Sequence, residues 1–114
     1  MKLYADYIKE REGRECIYND KCFVTYNTYD KDVSIIDYYC TPEHRGKGYM
    51  LNFMSELIGQ FKKDKYNIVY GYTDTTTNGW ERSERLMLKF GFKFIGTSDD
   101  DKEYRQYMIN LEEL

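Results

Sequence analysis

The sequence predicts an α/β (α+β) domain: a mixed, mostly antiparallel sheet with one parallel β-α-β crossover and two helices. Three observations point there. The first forty residues alternate apolar and polar side chains between short polar turns. Met50 to Phe61 and Trp80 to Phe90 switch to apolar spacings of three and four. A strand, helix, strand order across residues 33–73 calls for parallel strands joined by a crossover. With 114 residues the chain holds one domain, residues 1–114, whose core is just large enough to stand without cross-links. Thirteen Tyr and six Phe against one Pro fit aromatic strands and few rigid turns.

Taken in order, Leu3–Lys9 alternates into Glu10-Arg11-Glu12-Gly13 and reads as a first strand. Arg14–Tyr18 runs into Asn19-Asp20-Lys21, Cys22–Thr28 meets Tyr29-Asp30-Lys31-Asp32, and Val33–Cys40 closes the meander. Met50, Leu51, Met54, Leu57, Ile58 and Phe61 line one face of a helix, and Lys62-Lys63-Asp64-Lys65 ends it with charge that suits its dipole. Asn67–Thr73 is a strand containing Gly71. After the polar loop Asp74–Gly79, Trp80–Phe90 is a shorter helix with Gly91 at its left-handed cap position. Phe92–Ile95 and Tyr104–Leu111 form a last antiparallel pair around the acidic turn Ser98-Asp99-Asp100-Asp101-Lys102.

Thr41-Pro42-Glu43-His44-Arg45-Gly46-Lys47-Gly48-Tyr49 lies between the fourth strand and the first helix. A glycine-bearing basic loop that opens a helix is a phosphate cradle. Glycine lets the backbone approach the anion, successive N–H groups converge on it, and the helix N-terminus adds positive potential. The ligand expected is a pyrophosphate-bearing cofactor, bound where the parallel strands end, near Cys40 and Thr73.

Composition excludes other classes. A net charge of −3 without a long basic run disfavours nucleic acid as a partner. No apolar stretch approaches the ~20 residues of a membrane span. Cys16, Cys22 and Cys40 are odd in number and lack metal spacing, and there is one His. A reducing, cytoplasmic setting and no metal site are therefore expected. An exposed edge in the N-terminal meander leaves a homodimer open.

Arg45-Gly46-Lys47-Gly48-Tyr49-Met50 resembles the Gln/Arg-x-x-Gly-x-Gly/Ala loop of the GNAT N-acetyltransferase superfamily, and Cys40-Thr41-Pro42-Glu43 resembles that family's strand exit. Leu86-Met87-Leu88-Lys89-Phe90-Gly91-Phe92 is similar to its Leu-Tyr-Glu-Lys-Leu-Gly-Phe segment. The resemblance runs from about residue 33 to 95. It implies the acyl-CoA N-acyltransferase fold and acetyl-CoA as co-substrate, with a primary amine as acceptor. Three departures stand out. Met50 replaces a small residue, Met87 replaces a tyrosine that often acts as general acid, and the two helices usual after the family's first strand find no room. Their loss would leave the acceptor site open on one side, which favours a protein or peptide amine over a small molecule.

The resemblance further implies that the backbone of Tyr38, Tyr39 and Cys40 pairs with the pantetheine arm. The amides of Arg45, Gly46, Lys47, Gly48, Tyr49 and Met50 would hold the pyrophosphate, with Asn78 and Ser83 as further cofactor contacts. An amine arrives mostly protonated, so a carboxylate or an ordered water must take its proton. Asp37 is the best-placed carboxylate and Asp74 the second. Tyr70, Tyr72, Tyr107 or Ser83 would supply a hydroxyl. The rival reading is a GNAT-fold module that binds CoA, or acts by interaction, without turnover; Met50 and Met87 carry it.

Overall fold

The computed structural model describes residues 1–98 and 103–114, so the turn residues Asp99 to Lys102 lie outside the described residues. The elements are α1 (Lys2–Glu12), β1 (Glu15–Tyr18), β2 (Cys22–Tyr29), β3 (Asp32–Cys40), α2 (Tyr49–Lys63), β4 (Ile68–Asp74), α3 (Trp80–Phe90), β5 (Lys93–Thr97) and β6 (Tyr104–Asn110). The strands form one sheet in the order β1-β2-β3-β4-β6-β5. Every neighbouring pair is antiparallel except β3 with β4, which α2 connects.

The strand expected over Leu3–Lys9 is instead the helix α1, so the described chain has three α-helices rather than two. Leu3, Ala5 and Tyr7 do alternate, but Tyr4 and Ile8 stand four apart, and it is Ile8 that is buried. Alanine, leucine and the Lys/Glu/Arg run favour helix over strand. Gly13 ends α1 at φ 69°, with its N–H donating to the Lys9 carbonyl at 3.0 Å. A helix therefore does find room before the meander. It packs on β1, with Tyr4 against Phe23 of β2 at 5.3 Å between ring centroids.

Helices α2 and α3 cover the opposite face. Met50, Met54, Leu57, Ile58 and Phe61 of α2 and Met87 and Phe90 of α3 pack on Cys22, Val24, Val33, Ile35, Val69, Tyr107 and Ile109. Phe61 is held by edge-on contacts with Tyr26 and Tyr66. Met50, crowded in prospect, turns its side chain into this core and leaves the loop clear. Successive strand residues face opposite ways, so Phe23 beside buried Val24 puts α1 on the other side of the sheet from α2 and α3.

Candidate active site

The site begins where a ladder stops. Strands β3 and β4 pair only at Asp32↔Ile68, Val33↔Val69 and Ser34↔Tyr70, although β3 runs on to Cys40 and β4 to Asp74. The cause lies on the other side of β3. There Tyr26 is opposite Ile35 and Thr25 is opposite Asp37, so Ile36 is an extra residue, a β-bulge. A bulge bends and twists its strand and reverses the side-chain alternation. Before it Val33 and Ile35 enter the core; after it Tyr38 and Cys40 do. The bent half of β3 diverges from β4 and opens a notch in the sheet.

Main-chain polarity along the notch follows from the same register. Asp37 N–H donates to Thr25 Oγ1 (3.2 Å) and Thr41 N–H to the Lys21 carbonyl (3.1 Å), both towards β2. By alternation Tyr38 and Cys40 present their N–H and C=O groups to the notch, while Tyr39 turns towards β2. The Cys40 carbonyl accepts from Arg45 Nε at 2.8 Å. An extended ligand arm therefore finds a free strand edge at Tyr38 and at the Cys40 amide.

Beyond Cys40 the chain makes a short 3-10 turn, Pro42–His44, where Thr41 Oγ1 and His44 Nδ1 lie 2.5 Å apart. Gly46 (φ 73°) and Gly48 (φ 85°) are left-handed, a conformation that costs other residues about 1–2 kcal/mol. The first hydrogen bond of α2 runs from Asn52 N–H to the Gly48 carbonyl. Among the described residues, no acceptor faces the six successive amides from Gly46 to Leu51. Such a run at a helix start is able to hold an anion. Arg45 folds back over the Tyr39 ring (5.1 Å) and Lys21 lies over Tyr49 (5.0 Å), so both add positive charge beside the loop.

The far wall is α3. Tyr38 rests edge-on against Phe90 (5.7 Å between centroids), and its hydroxyl donates to the Ser83 carbonyl at 3.4 Å. Met87 is buried under the notch against Gly71, where a Cβ would come within 2.3 Å of its terminal methyl. Tyr38, Gly71, Tyr72, Met87 and Phe92 enclose a crevice of about 20 Å³ at the apex.

Behind it, a polar network that the sequence reading did not find ties α3 to β4 and β6. Tyr107, fully buried, shares a hydrogen bond with Thr73 Oγ1 (2.9 Å), donates to Glu84 and accepts from Arg105 Nε (3.3 Å). Arg105 also pairs with Glu84 at 2.6 Å and lies over the Phe94 ring at 3.9 Å. Burial pushes the Glu84 carboxyl up, but the hydrogen bonds from Tyr107 and Arg105 and the Arg105 charge outweigh it, and the carboxyl sits below its ordinary value. The stability this brings is present above the unfolded-state pKa, about 4.3, and is lost as pH falls through the lower folded value. Melting temperatures of the wild type and Glu84→Gln should therefore differ at neutral pH and converge only in acid, once pH has fallen through that lower folded value. A gap that persists unchanged into acid would disprove the ionised network.

On the face opposite α2 and α3, a groove of about 400 Å³ opens between Ile36, Tyr72, Ser98, Tyr104 and Gln106. Tyr72 thus lies in the groove. Asp37, exposed on the same face, pairs with Arg14 (3.0 Å). Asp74 receives Thr76 Oγ1 (2.6 Å) and Thr76 N–H (2.9 Å). These bonds, then those from Tyr104 and Thr77, hold its carboxyl below the ordinary range. Asn78 is exposed in the turn before α3, and Ser83 keeps an exposed position on the first turns of that helix. The notch thus gathers Tyr38, Cys40, the loop 45–50 and Ser83, whereas Asp37 and Asp74 sit at the sheet's other face. Ile36, Tyr104 and Gln106 were missed; the doubled Ile35-Ile36 interrupting the alternation was the available signal for the bulge. Among the described residues, no cluster of His, Cys, Asp and Glu could hold a metal ion, and no helix is long and apolar enough to cross a membrane.

A notched mixed sheet with an amide cradle at its mouth defines an acyl-CoA-binding transferase fold, and known proteins of that class are similar to it. An acetyltransferase from Bacillus subtilis in complex with CoA superposes with a TM-score of 0.69 at 17% identity, covering 96% of this chain and 83% of that one. A ribosomal-protein-alanine N-acetyltransferase from Brucella melitensis gives 0.67 at 13%, with coverage of 96% and 76%. A spermidine N-acetyltransferase chimera from Vibrio cholerae gives 0.72 at 13%, with coverage of 98% and 75%. No curated protein sequence matches the chain. The profile of the Acetyltransferase (GNAT) family matches residues 7–92. The chain belongs to the GNAT acetyltransferase family, whose members use acetyl-CoA as co-substrate.

Proposed function

We propose that this protein moves the acetyl group of acetyl-CoA directly onto a primary amine carried by a protein or peptide, at a lysine or an N-terminus. The observation that carries this reading is the notch, whose free main-chain edge at Tyr38 and Cys40 leads into the unpaired amides of residues 46–51. The diphosphate would lie in the loop, with Arg45, Lys47 and Lys21 adding charge and Asn78 and Ser83 at the α3 side. The pantetheine arm would run back along β3, bringing the thioester to the apex. Direct transfer is favoured over an acyl-enzyme. Cys40 is buried opposite Cys22, whose thiol is pushed up to about 12 by burial and by the Cys40 contact, and His44, the one imidazole, is engaged by Thr41.

The amine would enter from the groove beside Tyr72 and Tyr104. Helix α1 packs on β1, away from β4 and β6, and an uncovered groove suits a peptide better than an enclosed pocket would. Asp74, ionised at its rim, would attract the ammonium group, and water in the open groove would carry the proton away. Asp37 remains the second carboxylate on that face. Three free thiols fit a reducing, cytoplasmic compartment, and the short edge strand β1 is where two copies would pair. Two of the similar structures are named for amine acceptors, a ribosomal-protein alanine and spermidine.

The test is to incubate purified protein with acetyl-CoA and a panel of lysine peptides, free-N-terminus peptides and polyamines, following thiol release and product mass. Peptide acetylation above the polyamine rate is the expected result. Tight CoA binding without transfer to any amine would favour the rival binding module.

A further inference from the structure

We propose that the Tyr38 hydroxyl, delivered from strand β3, is the acid that protonates the departing CoA sulfur. The assignment rests on the acetyltransferase reading above. At position 87, where a tyrosine was expected, the chain has a methionine locked under Gly71, and a thioether has no proton to give. One turn earlier on the same helix, the Ser83 carbonyl is met by a phenol from the opposite wall. The Ile36 bulge makes that possible, because an unbroken β3 would aim residue 38 at the other face of the sheet.

Position favours this hydroxyl. A ligand arm that starts at the cradle and pairs first with Cys40 and then with Tyr38 ends at the crevice lined by Tyr38, Gly71 and Met87. The 3.4 Å bond to Ser83 is long for an O–H donor, so the phenol is lightly held and free to turn towards a sulfur. Four other tyrosines are engaged elsewhere. Tyr107 is fully buried and bonded to Thr73, Glu84 and Arg105. Tyr72, which also borders the crevice, and Tyr104 line the groove on the opposite face, and Tyr39 stacks on Phe23 there. Burial pushes the Tyr38 phenol up, against a smaller lowering by Ser83, which keeps it protonated at neutral pH.

The step balances as follows. The neutral amine nitrogen attacks the thioester carbon, forming the C–N bond, and the carbonyl π electrons move to oxygen. As the carbonyl reforms, the C–S bond breaks and its electron pair goes to sulfur, which takes the Tyr38 proton to give the free thiol. The nitrogen loses a proton to water, and water returns one to the phenolate. Products are the amide and CoA.

Tyr38→Phe keeps the ring and its contact with Phe90 while deleting the proton. It should lower kcat about 10²-fold, the low end for a general acid because a thiol is already a fair leaving group. CoA affinity and melting temperature should stay at wild-type values. A kcat within threefold of wild type overturns the assignment, as does a kcat loss accompanied by an equal loss of CoA affinity, which would make Tyr38 a structural wedge. A wild-type protein that binds CoA and acetylates no amine sinks the acetyltransferase reading and this inference with it; a wild type that turns over beside an unimpaired Tyr38→Phe sinks this inference alone.

Discussion

Replacing Gly48 by valine is expected to cut kcat/KM for acetyl-CoA by about 10³ while the domain still melts within a few degrees of wild type. Gly48 holds φ 85° at the start of α2, and a β-branched residue is a steric outlier there. A Cβ at this glycine would touch nothing within 4 Å. The burden is therefore on the backbone, which relaxes by rotating the amides around it. Losing two charge-assisted hydrogen bonds to a diphosphate, each worth roughly 1.5–3 kcal/mol, corresponds to about 10²–10⁴ in rate. The deciding measurement compares acetyl-CoA with S-acetylpantetheine, which lacks the diphosphate. The deficit should appear with acetyl-CoA and vanish with the short donor. Equal losses on both donors, or an unchanged affinity for CoA, would remove the diphosphate from this loop.

The second large effect concerns stability. Tyr107→Ala should cost about 4 kcal/mol, in the range for deleting a buried aromatic ring, and lower the melting temperature by roughly 15 °C. Tyr107 is fully buried, its ring meets Phe94 edge-on, and its hydroxyl joins Thr73, Glu84 and Arg105. Truncation opens a cavity and also strips partners from a carboxylate and a buried hydroxyl, which adds a desolvation cost. Tyr107→Phe should lose about 1–2 kcal/mol, separating the network from the packing. Chemical denaturation of the three proteins decides the matter; an alanine variant within about 1 kcal/mol of wild type would show that β6 is not anchored here.

Much of this architecture could be read from the chain because its local signals agree with one another. The apolar series from Met50 to Phe61 has a single helical interpretation, and the strands at residues 22–29, 32–40 and 68–74 are bounded by polar turns. The left-handed loop was legible for a different reason: its geometry depends on Gly46 and Gly48, and glycine's conformational freedom is visible in the residue itself. The first twelve residues were misread because Leu3, Ala5 and Tyr7 satisfy a period of two, while the Tyr4 and Ile8 spacing that matters is set by packing on Phe23 and β1. The groove was not legible at all. Tyr72 and Tyr104 are brought to one face only by the β4–β6 register, a relation between residues thirty-two positions apart in the chain that no local pattern encodes. The Glu84–Arg105–Tyr107 network is hidden for the same reason.

Ile36 has a consequence out of proportion to its size. Take that residue out and positions 37 to 40 keep their present partners and faces, while the kink that turns the strand away from its parallel neighbour is lost. The cleft would zip shut along a straightened ladder, and an intact sheet with nowhere to dock a thioester would be left. Room for a cofactor in this small domain thus depends on a miscount of one along a single strand.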